Sequence, residues 1–503
     1  MRLAPLWIRK IKPVYDKLTE LFGIDRRSLG LFRIALALVL LADLWIRAQD
    51  LTAHYSDFGM LPRRELLSHP AAITFSIHFL SGAWQIQAVL FGLNAVILFC
   101  LLMGYRAQLT AFLAWLFLIS LQARNPQVAT AADNLVRILL FWALFLPLGS
   151  CFAVDQALDS KRGKNSWRLF SIPTMAILMQ MFLLYHIAGL QKTGGQWKEG
   201  SAVYYALSLD RMTTPLGDWL VQWTMLSKFL TFGVFWLEIL GSFLLFLPVS
   251  TGLLRFLGFV LLSFFQLGLA FTLKLGIFPW ICLAGNLLFI PSGCWCRLSH
   301  FLCRRKLIEL EPLKFLKTGF VRCISGLTRQ PVSRHPSWLE IVLAGVCLIY
   351  VVTTVSSPFY RLPFHLPNFV TNMVRHLDIN QSWSMYASGF KIDGWHIAEA
   401  ELENGQKIDA LRGGAPVDWQ KPPKISKLYK TYRQRKFFAQ LRNDGRKRDR
   451  ERLSAYLCRD WNAHHDGNKK IKKIDLYFMR IKTTLEGKTD PEKILWLTHQ
   501  CAS

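Results

Sequence analysis

The residues with the clearest chemical potential lie in Phe182–Gly200, FLLYHIAGLQKTGGQWKEG, where an apolar stretch ends at a lysine followed by two glycines. The run Phe170–Leu190 is long enough to span a bilayer, and Lys192 marks its exit. Lys192 has two interpretations. As an anchor, its stem lies along apolar surface while the ammonium reaches the lipid head groups. As a base, it stands in a dry cavity, where partial desolvation favours the neutral amine.

A second group of ionisable residues lies inside the first apolar run: Arg33, Asp43 and Arg47. At 100° per residue, Asp43 lies about 80° from Arg33, and Arg47 lies about 40° from Asp43, so the three share one side of a helix. Ionisable groups at membrane depth are costly unless they are paired, which predicts an Asp43–Arg47 pair. That pair could lock two helices together or take part in a catalytic site.

Depth along the predicted helices suggests that these groups meet. His186 lies about 9 Å along its helix from Lys192, and Asp43 lies in the outer third of its own span. We therefore expect one outward-opening cavity in which Lys192 acts as the base and Glu199 and His186 support it. The residues expected to line its wall are Arg33, Asp43, Arg47, Asp133, Arg137, Trp197 and Glu238.

Composition indicates the elements that must position these side chains. With 52% hydrophobic residues, 18 Trp and 36 Phe in 503 residues, the chain is typical of a polytopic membrane protein. We predict an all-α bundle of about nine transmembrane helices, each judged against the roughly 20 residues needed to cross a bilayer. The apolar runs are 29–48, 86–103, 109–121, 135–152, 170–190, 229–247, 253–273, 277–290 and 339–355.

The distribution of Lys and Arg predicts the orientation. Basic residues concentrate in the N-terminal arm, in the connection after the fourth run and in the linker before the last run, which places all three in the cytoplasm. The C-terminal domain then faces outward. The predicted boundaries are an interfacial arm (1–27), the main transmembrane domain (28–292), a cytoplasmic linker (293–336), the last transmembrane helix (337–355) and an extracytoplasmic α+β domain (356–503).

The net charge of +27 does not require a nucleic-acid partner. The basic stretch Lys421–Arg452 could be interpreted as a polyanion-binding surface. Beside a bilayer, such a surface is better matched to anionic lipid head groups, to an acidic protein partner of the C-terminal domain or to a solvated helix face. The lipid bilayer is therefore the one partner that the sequence requires, and we expect no nucleic acid.

The C-terminal domain carries its own pattern. Two alternating runs in Trp395–Leu411 are joined at Asn404 and Gly405, which predicts a β-hairpin. Helices are expected at 426–441 and 447–464, and strands at 473–482 and 494–499. Cys458 and Cys501 lie in an outward, oxidising compartment, so we predict that they form a disulfide. No metal site is expected, because the adjacent histidines 464 and 465 point apart on a helix.

Several motifs occur in one order: R-x9-D-x3-R from Arg33 to Arg47, Y-S-D-x-G-x2-P, AVD, A-G-x2-K-x4-W-x-E-G around Lys192, and KLGIFPW. This set resembles the horizontally transferred transmembrane (HTTM) domain, which is shared by vitamin K-dependent gamma-carboxylase and many bacterial membrane proteins. The resemblance covers roughly Asp25–Pro291. It implies a multi-pass protein of the bacterial inner membrane with a periplasmic C-terminal domain.

The resemblance also implies a chemistry. The carboxylase oxidises reduced vitamin K to its epoxide and uses the base so generated to remove a glutamate γ-proton before carbon dioxide adds. Lys192 matches the lysine proposed to act on the quinol. Ser150 and Gln266 stand where the carboxylase has histidines, which argues against full gamma-carboxylase activity.

Two functional hypotheses follow. The first is a membrane enzyme that acts on a quinol or another lipophilic substrate in an outward-facing cavity. The second is a non-catalytic lipid-binding or scaffolding protein that acts through its periplasmic domain, in which the same polar residues only close a polar core. The substrate and any cofactor are not specified by the sequence.

Overall fold

The computed structural model describes residues 6–68, 76–158, 166–304, 338–356 and 381–501, except 386 and 388–390. Most of the predicted cytoplasmic linker and the beginning of the predicted C-terminal domain lie outside these residues. Within them, a helical bundle is followed by a domain with a β-sheet and two helices.

The bundle consists of long helices separated by short ones. In chain order, the longer helices are α1 (Leu6–Phe22), α2 (Arg26–Ala48), α3 (Trp84–Met103), α4 (Ala107–Arg124), α5 (Ala131–Ala143), α6 (Ile172–Leu190), α7 (Thr224–Ile239), α8 (Thr251–Thr272), α9 (Phe278–Asn286), α10 (Ser292–Arg304) and α11 (Trp338–Ser356). Short helices include Leu51–Tyr55, Arg63–Leu67, Val154–Leu158, Gly195–Glu199, Ala202–Leu207 and Pro215–Leu220.

Five helices in the described part of the chain are long and apolar enough to cross a membrane: α2, α3, α4, α6 and α8. A sixth span results if Phe278–Phe289 and Ser292–Phe301, which meet at 88°, form one broken crossing. The predicted runs 135–152 and 229–247 correspond to the shorter helices α5 and α7. Helix α5 ends before Pro147, since the residue that precedes a proline disfavours helical backbone. Nine spans therefore stay a prediction.

Burial separates the central helices from those at the periphery. In α5, every residue from Leu135 to Ala143 is buried, as expected of a stretch in which every residue except Arg137 is apolar. Helices α3 and α8 instead expose large apolar side chains, among them Val89, Phe99 and Leu253. Exposed apolar surface on long helices suits a lipid environment and identifies the chain as a membrane protein.

The C-terminal domain contains a four-stranded antiparallel sheet. The strands are β1 (Ile392–Leu402), β2 (Lys407–Asp409), β3 (Ile471–Lys482) and β4 (Glu492–Gln500), in the order β2-β1-β3-β4. The predicted hairpin is present, with Gly405 at a φ of 81° in its turn. Helices α12 (Tyr432–Gln440) and α13 (Lys447–His464) complete the domain. The first starts later than predicted, since Ile425–Leu428 forms a 3-10 turn.

Alternation along β1 builds two small cores. Ala398 and Ala400 belong to a cluster that includes Phe438 of α12, whereas Trp395 and Ile397 pack with other residues on the opposite face. Successive side chains of a strand point to opposite faces, so one strand contributes to both cores. The sheet is thereby fixed to both helices.

A disulfide closes this domain. Cys458 of α13 and Cys501, directly after β4, are bonded with a Cα–Cα distance of 5.7 Å. The bridge ties the helix to the end of the last strand, as the sequence predicted.

Replacing both bridged cysteines with serine is expected to destabilise the C-terminal domain by up to about 4 kcal/mol, because the bond closes a loop with a sequence separation of 43. Thermal unfolding of the purified protein would measure the loss, with Cys100→Ser, a free cysteine of α3, as the control. Two free thiols at 458 and 501 under denaturing, non-reducing conditions would show that the bridge does not form.

Candidate functional site

Lys192 lies two residues beyond the end of α6 and is buried, with 5% of its surface exposed. Its Nζ forms an ion pair with a carboxylate oxygen of Glu238 on α7 and donates a hydrogen bond to the carbonyl of Ala188 at 3.2 Å. Glu238 is equally buried. The lysine is therefore paired inside the protein and does not reach the surface.

Gly189 allows α6 and α7 to approach closely enough for this pair to form. A Cβ atom at Gly189 would lie 2.7 Å from Cγ1 of Ile239 and 3.0 Å from Cβ of Glu238. Any larger residue would push the two helices apart. The glycine thus determines how far Glu238 lies from Lys192.

The chain after Lys192 folds back over the pair. The short helix Gly195–Glu199 brings the Trp197 ring to 5.1 Å from the Lys192 Nζ, within the range of a cation–π contact. Gly200 ends that helix with a φ of 79°, a conformation that favours glycine. The next helix is held to α7 by a hydrogen bond from the Val203 amide to the Thr231 hydroxyl at 3.1 Å.

A cleft of about 930 Å³ leads to the ion pair. Residues of α6, α7 and α8 line it, and nearly all are apolar. Three lining phenylalanines are exposed by 58% to 72% of their surface: Phe229, Phe264 and Phe271. The cleft therefore opens between exposed apolar side chains, as suits a surface that faces lipid. Lys192, Trp197 and Glu238 lie on its wall.

Two further polar side chains reach the cleft. The hydroxyl of Tyr185 donates to Oδ1 of Asn286 at 3.1 Å. Gln266 is 2% exposed, and its Oε1 has no hydrogen-bond partner in the described part of the chain. A buried amide oxygen without a donor is costly, so Gln266 can accept a hydrogen bond from a bound molecule.

Comparison with known families identifies the family to which the helical bundle belongs. The family model described as the HTTM domain matches residues 23–294, a little over half of the chain. This chain belongs to the HTTM domain family. The resemblance inferred from the sequence motifs is thereby confirmed over nearly the same range. No solved structure matches the chain.

Within the HTTM domain, His186 and Glu199, which were predicted to support Lys192, lie outside the cleft. His186 stacks on Phe182 with ring centroids 5.1 Å apart, and its Nδ1 lies 3.2 Å from the carbonyl oxygen of Ile239. Glu199 is exposed. Neither lines the cleft. The sequence missed Glu238 as the direct partner of Lys192, although an acid isolated in an apolar run is a signal for a buried pair.

Four of the predicted wall residues lie outside the cleft. Three of them, Asp43, Arg47 and Asp133, form a separate charged cluster, and Arg137 lies close to it. Nε of Arg47 donates to Asp43 at 2.8 Å, as the helical spacing predicted, and its Nη2 pairs with Asp133 at the start of α5. Arg137 lies one turn further along α5 and donates to Gln122 at 2.6 Å. Arg47, Asp43 and Asp133 are almost completely buried.

A fourth charge completes this cluster and comes from the C-terminal domain. Arg433 of α12 donates to Asp43 at 2.5 and 3.0 Å and to Asp133 at 3.0 Å. The hydroxyl of Tyr432 also donates to Asp43, at 2.9 Å. We call Asp43, Arg47, Asp133 and Arg433 the charge cluster. Two arginines and two aspartates give it no net charge, so it can be buried where its helices meet α12.

Arg33 belongs to neither site. Its Nη2 donates to the carbonyl oxygen of Phe152 at 2.6 Å, near the opposite end of α2 from the charge cluster. The single cavity expected from the sequence is therefore divided into the cleft, the charge cluster and this separate contact. Side-chain direction explains the difference, since residues at similar depth on neighbouring helices can face different partners.

The C-terminal domain also contacts the rim of the cleft, which is formed by the segment between α8 and α9. Leu273, Leu275 and Phe278 line the cleft. The segment between α8 and α9, to which the two leucines belong, contacts α12. Arg435 donates to the carbonyl of Lys274, and the ring of Tyr432 lies so close to Gly276 that a Cβ there would approach it within 2.5 Å. Residues 432–435 thus contact both the charge cluster and the rim. In the described residues, no group of three or more His, Cys, Asp or Glu could hold a metal ion.

Proposed function

We propose that this HTTM-domain protein binds a quinol or another lipophilic molecule with a neutral polar head group in the cleft, and that the Lys192–Glu238 pair acts on that head group. The observation that carries the proposal is an apolar cleft that opens between exposed apolar side chains and ends at a buried ion pair. A molecule can enter such a cleft from the bilayer without crossing water.

The charges of the wall favour a neutral head group. Lys192 and Glu238 neutralise one another, and the other lining residues carry no charge. An anionic head group would have to compete with Glu238 for the lysine, at a high desolvation cost. A hydroxyl can instead donate to Glu238 or Gln266 and accept from Lys192.

This geometry supports a proton transfer. A substrate hydroxyl near the pair can give its proton to the Glu238 carboxylate, while the Lys192 ammonium stabilises the oxygen that becomes negative. Lys192, predicted from the sequence as the base, then acts together with its carboxylate. The pair supplies an acceptor and a cation at one place that excludes water.

For localisation, we propose the bacterial inner membrane, with the N-terminus in the cytoplasm and the C-terminal domain in the periplasm. The C-terminal domain contacts segments that the positive-inside pattern assigns to the outer side, including Gln49, Asp210 and Lys274. A disulfide in that domain is compatible with an oxidising compartment.

Filling the cleft tests binding. Gly233 lines the cleft, and a Cβ there would meet no atom within 4 Å, so Gly233→Leu adds a side chain to the cavity without a backbone clash. We expect the lipophilic molecule that copurifies with the native protein to fall by about tenfold or more, as measured by mass spectrometry of organic extracts. Gly92→Leu on α3 is the matched control, because Gly92 is also exposed and open but lies outside the cleft.

Identical extracts from all three proteins, containing only bulk lipids, would contradict the proposal. In that case the second candidate, a non-catalytic scaffold, gains weight. The observation that favours it is the C-terminal domain, which is fixed to the bundle by the charge cluster and can present a surface to a protein partner.

A further inference from the structure

Positive charges are crowded at the seam between the bundle and the C-terminal domain. Arg211 belongs to the loop after the short helix Ala202–Leu207, and Arg442 follows α12. Both donate through Nη1 to the same acceptor, the carbonyl oxygen of Ile392, at 2.9 and 3.1 Å. Two guanidinium groups that share one neutral acceptor repel each other, so an anion beside them would stabilise the seam.

The nearby carboxylates do not neutralise these cations. Asp393 accepts from Arg211 at 3.1 Å and offsets one charge. Asp210 is engaged by Lys421 at 2.5 Å and Lys488 at 2.7 Å. Asp449, on α13, is engaged by Arg446 and Arg452.

Lys436 adds a further positive charge from α12. It is exposed, and it forms no hydrogen bond or ion pair with the described residues. Although its side chain is exposed overall, partial desolvation of the ammonium and the charges of Arg442 and Arg211 lower the pKa of Lys436. Burial and Arg211 lower the pKa of Arg442 to about 10. Arg211, Lys436 and Arg442 together carry three positive charges, and Asp393 offsets one of them, so these four groups have an excess of two positive charges.

We infer the depth of the seam from the residues that flank Arg211. The loop that carries Arg211 leads into the short helix Pro215–Leu220, and Trp219 of that helix and Trp223 beyond it are 52% and 56% exposed, as is typical of aromatic residues at a membrane interface. Leu207, four residues before Arg211, lines the cleft that we propose to be open towards lipid. A head group beside these residues therefore comes within reach of the seam.

We propose that Arg211, Lys436 and Arg442 bind the phosphate of an anionic phospholipid head group. Guanidinium groups match the oxygens of a phosphate, and the lysine adds a compact charge. The lipid would contact the bundle and the C-terminal domain together. This site is distinct from the cleft and takes a charged ligand, whereas the cleft suits a neutral one.

Titration of the full-length protein in neutral detergent with phosphatidylglycerol tests this site, with phosphatidylcholine as the uncharged reference and binding followed by native mass spectrometry. We expect a preference for phosphatidylglycerol, and Lys436→Glu should weaken its binding by about fivefold or more. Lys469→Glu is the matched control. Lys469 is exposed and lies beside the Leu402 end of β1. At the rise of a strand, that end is about 30 Å from the Ile392 end, where the seam lies.

Each other outcome has a defined meaning. If Lys436→Glu and Lys469→Glu weaken phosphatidylglycerol binding equally, the effect of charge is diffuse and the proposed site is overturned. Equal binding of phosphatidylglycerol and phosphatidylcholine would overturn it as well. Inorganic phosphate at millimolar concentration could instead displace phosphatidylglycerol, and the Lys436→Glu variant could fail to bind that phosphate. The ligand would then be free phosphate, and the lipid assignment would be overturned. Gly233→Leu should leave the phosphatidylglycerol preference unchanged, which separates this proposal from that of the cleft.

Discussion

Replacing Arg433 with methionine is expected to release the C-terminal domain from the bundle. The substitution removes one of four charges, so Asp43 and Asp133 are left with Arg47 alone and a net negative charge stays buried. Removing one partner from a buried ionic network typically costs about 3–5 kcal/mol. The hydrogen bonds from Arg433 to both aspartates are lost at the same time.

Thermal unfolding and limited proteolysis of residues 391–501 would measure this release. Arg448→Met is the matched control, because Arg448 is exposed on α13 in the same domain. The double variant Arg433→Met with Asp43→Asn returns the cluster to neutrality, with Arg47 facing Asp133, and should recover part of the lost stability. If Arg433→Met is as stable and as protected as its control, the charge cluster does not hold the domain.

The second large effect is expected at the base of the cleft. Glu238→Gln leaves the Lys192 ammonium without a counter-ion in a largely apolar environment, which should also destabilise the protein by about 3–5 kcal/mol. The double variant Lys192→Met with Glu238→Leu removes both charges. Since apolar residues of similar size often replace a buried ion pair without loss, it should regain most of the stability.

This pair of variants separates a chemical role from a structural one. A molecule recognised by the ion pair should be absent from extracts of the double variant even though that protein is stable, and mass spectrometry of copurified lipophiles would detect its loss. Retention of the same molecule by the stable double variant would mean that the pair only closes a polar core. The proposed chemistry of Lys192 would then be abandoned.

The charge cluster also shows why the C-terminal domain could not be placed from the sequence. Arg433 stands in a stretch where basic residues are frequent, and nothing in its spacing distinguishes it from Lys436 or Arg435. Only the packing of α12 on the ends of α2 and α5 makes Arg433 buried and Lys436 exposed. One basic stretch thus contains both a buried residue that holds the domain to the bundle, Arg433, and an exposed surface charge, Lys436.

The local residue pattern predicted contacts within one helix or hairpin better than contacts between distant elements. The four-residue spacing of Asp43 and Arg47 predicted their contact, because residues one helical turn apart share a face. The hairpin at Gly405 and the two cysteines were likewise readable from turn chemistry and from their positions. Span counting was less reliable, since apolar runs such as 135–152 form helices shorter than the run itself.

The sequence by itself determined the HTTM family, the apolar helices and the β-hairpin of the C-terminal domain, because each depends on motif order, composition or periodicity. Only the tertiary structure decided that Lys192 pairs with Glu238, that Arg433 joins Asp43 and Asp133, and that the predicted single cavity is divided. These contacts join residues 46 to 390 positions apart along the chain. Helix packing brings them together, and no local pattern of residues encodes which faces meet.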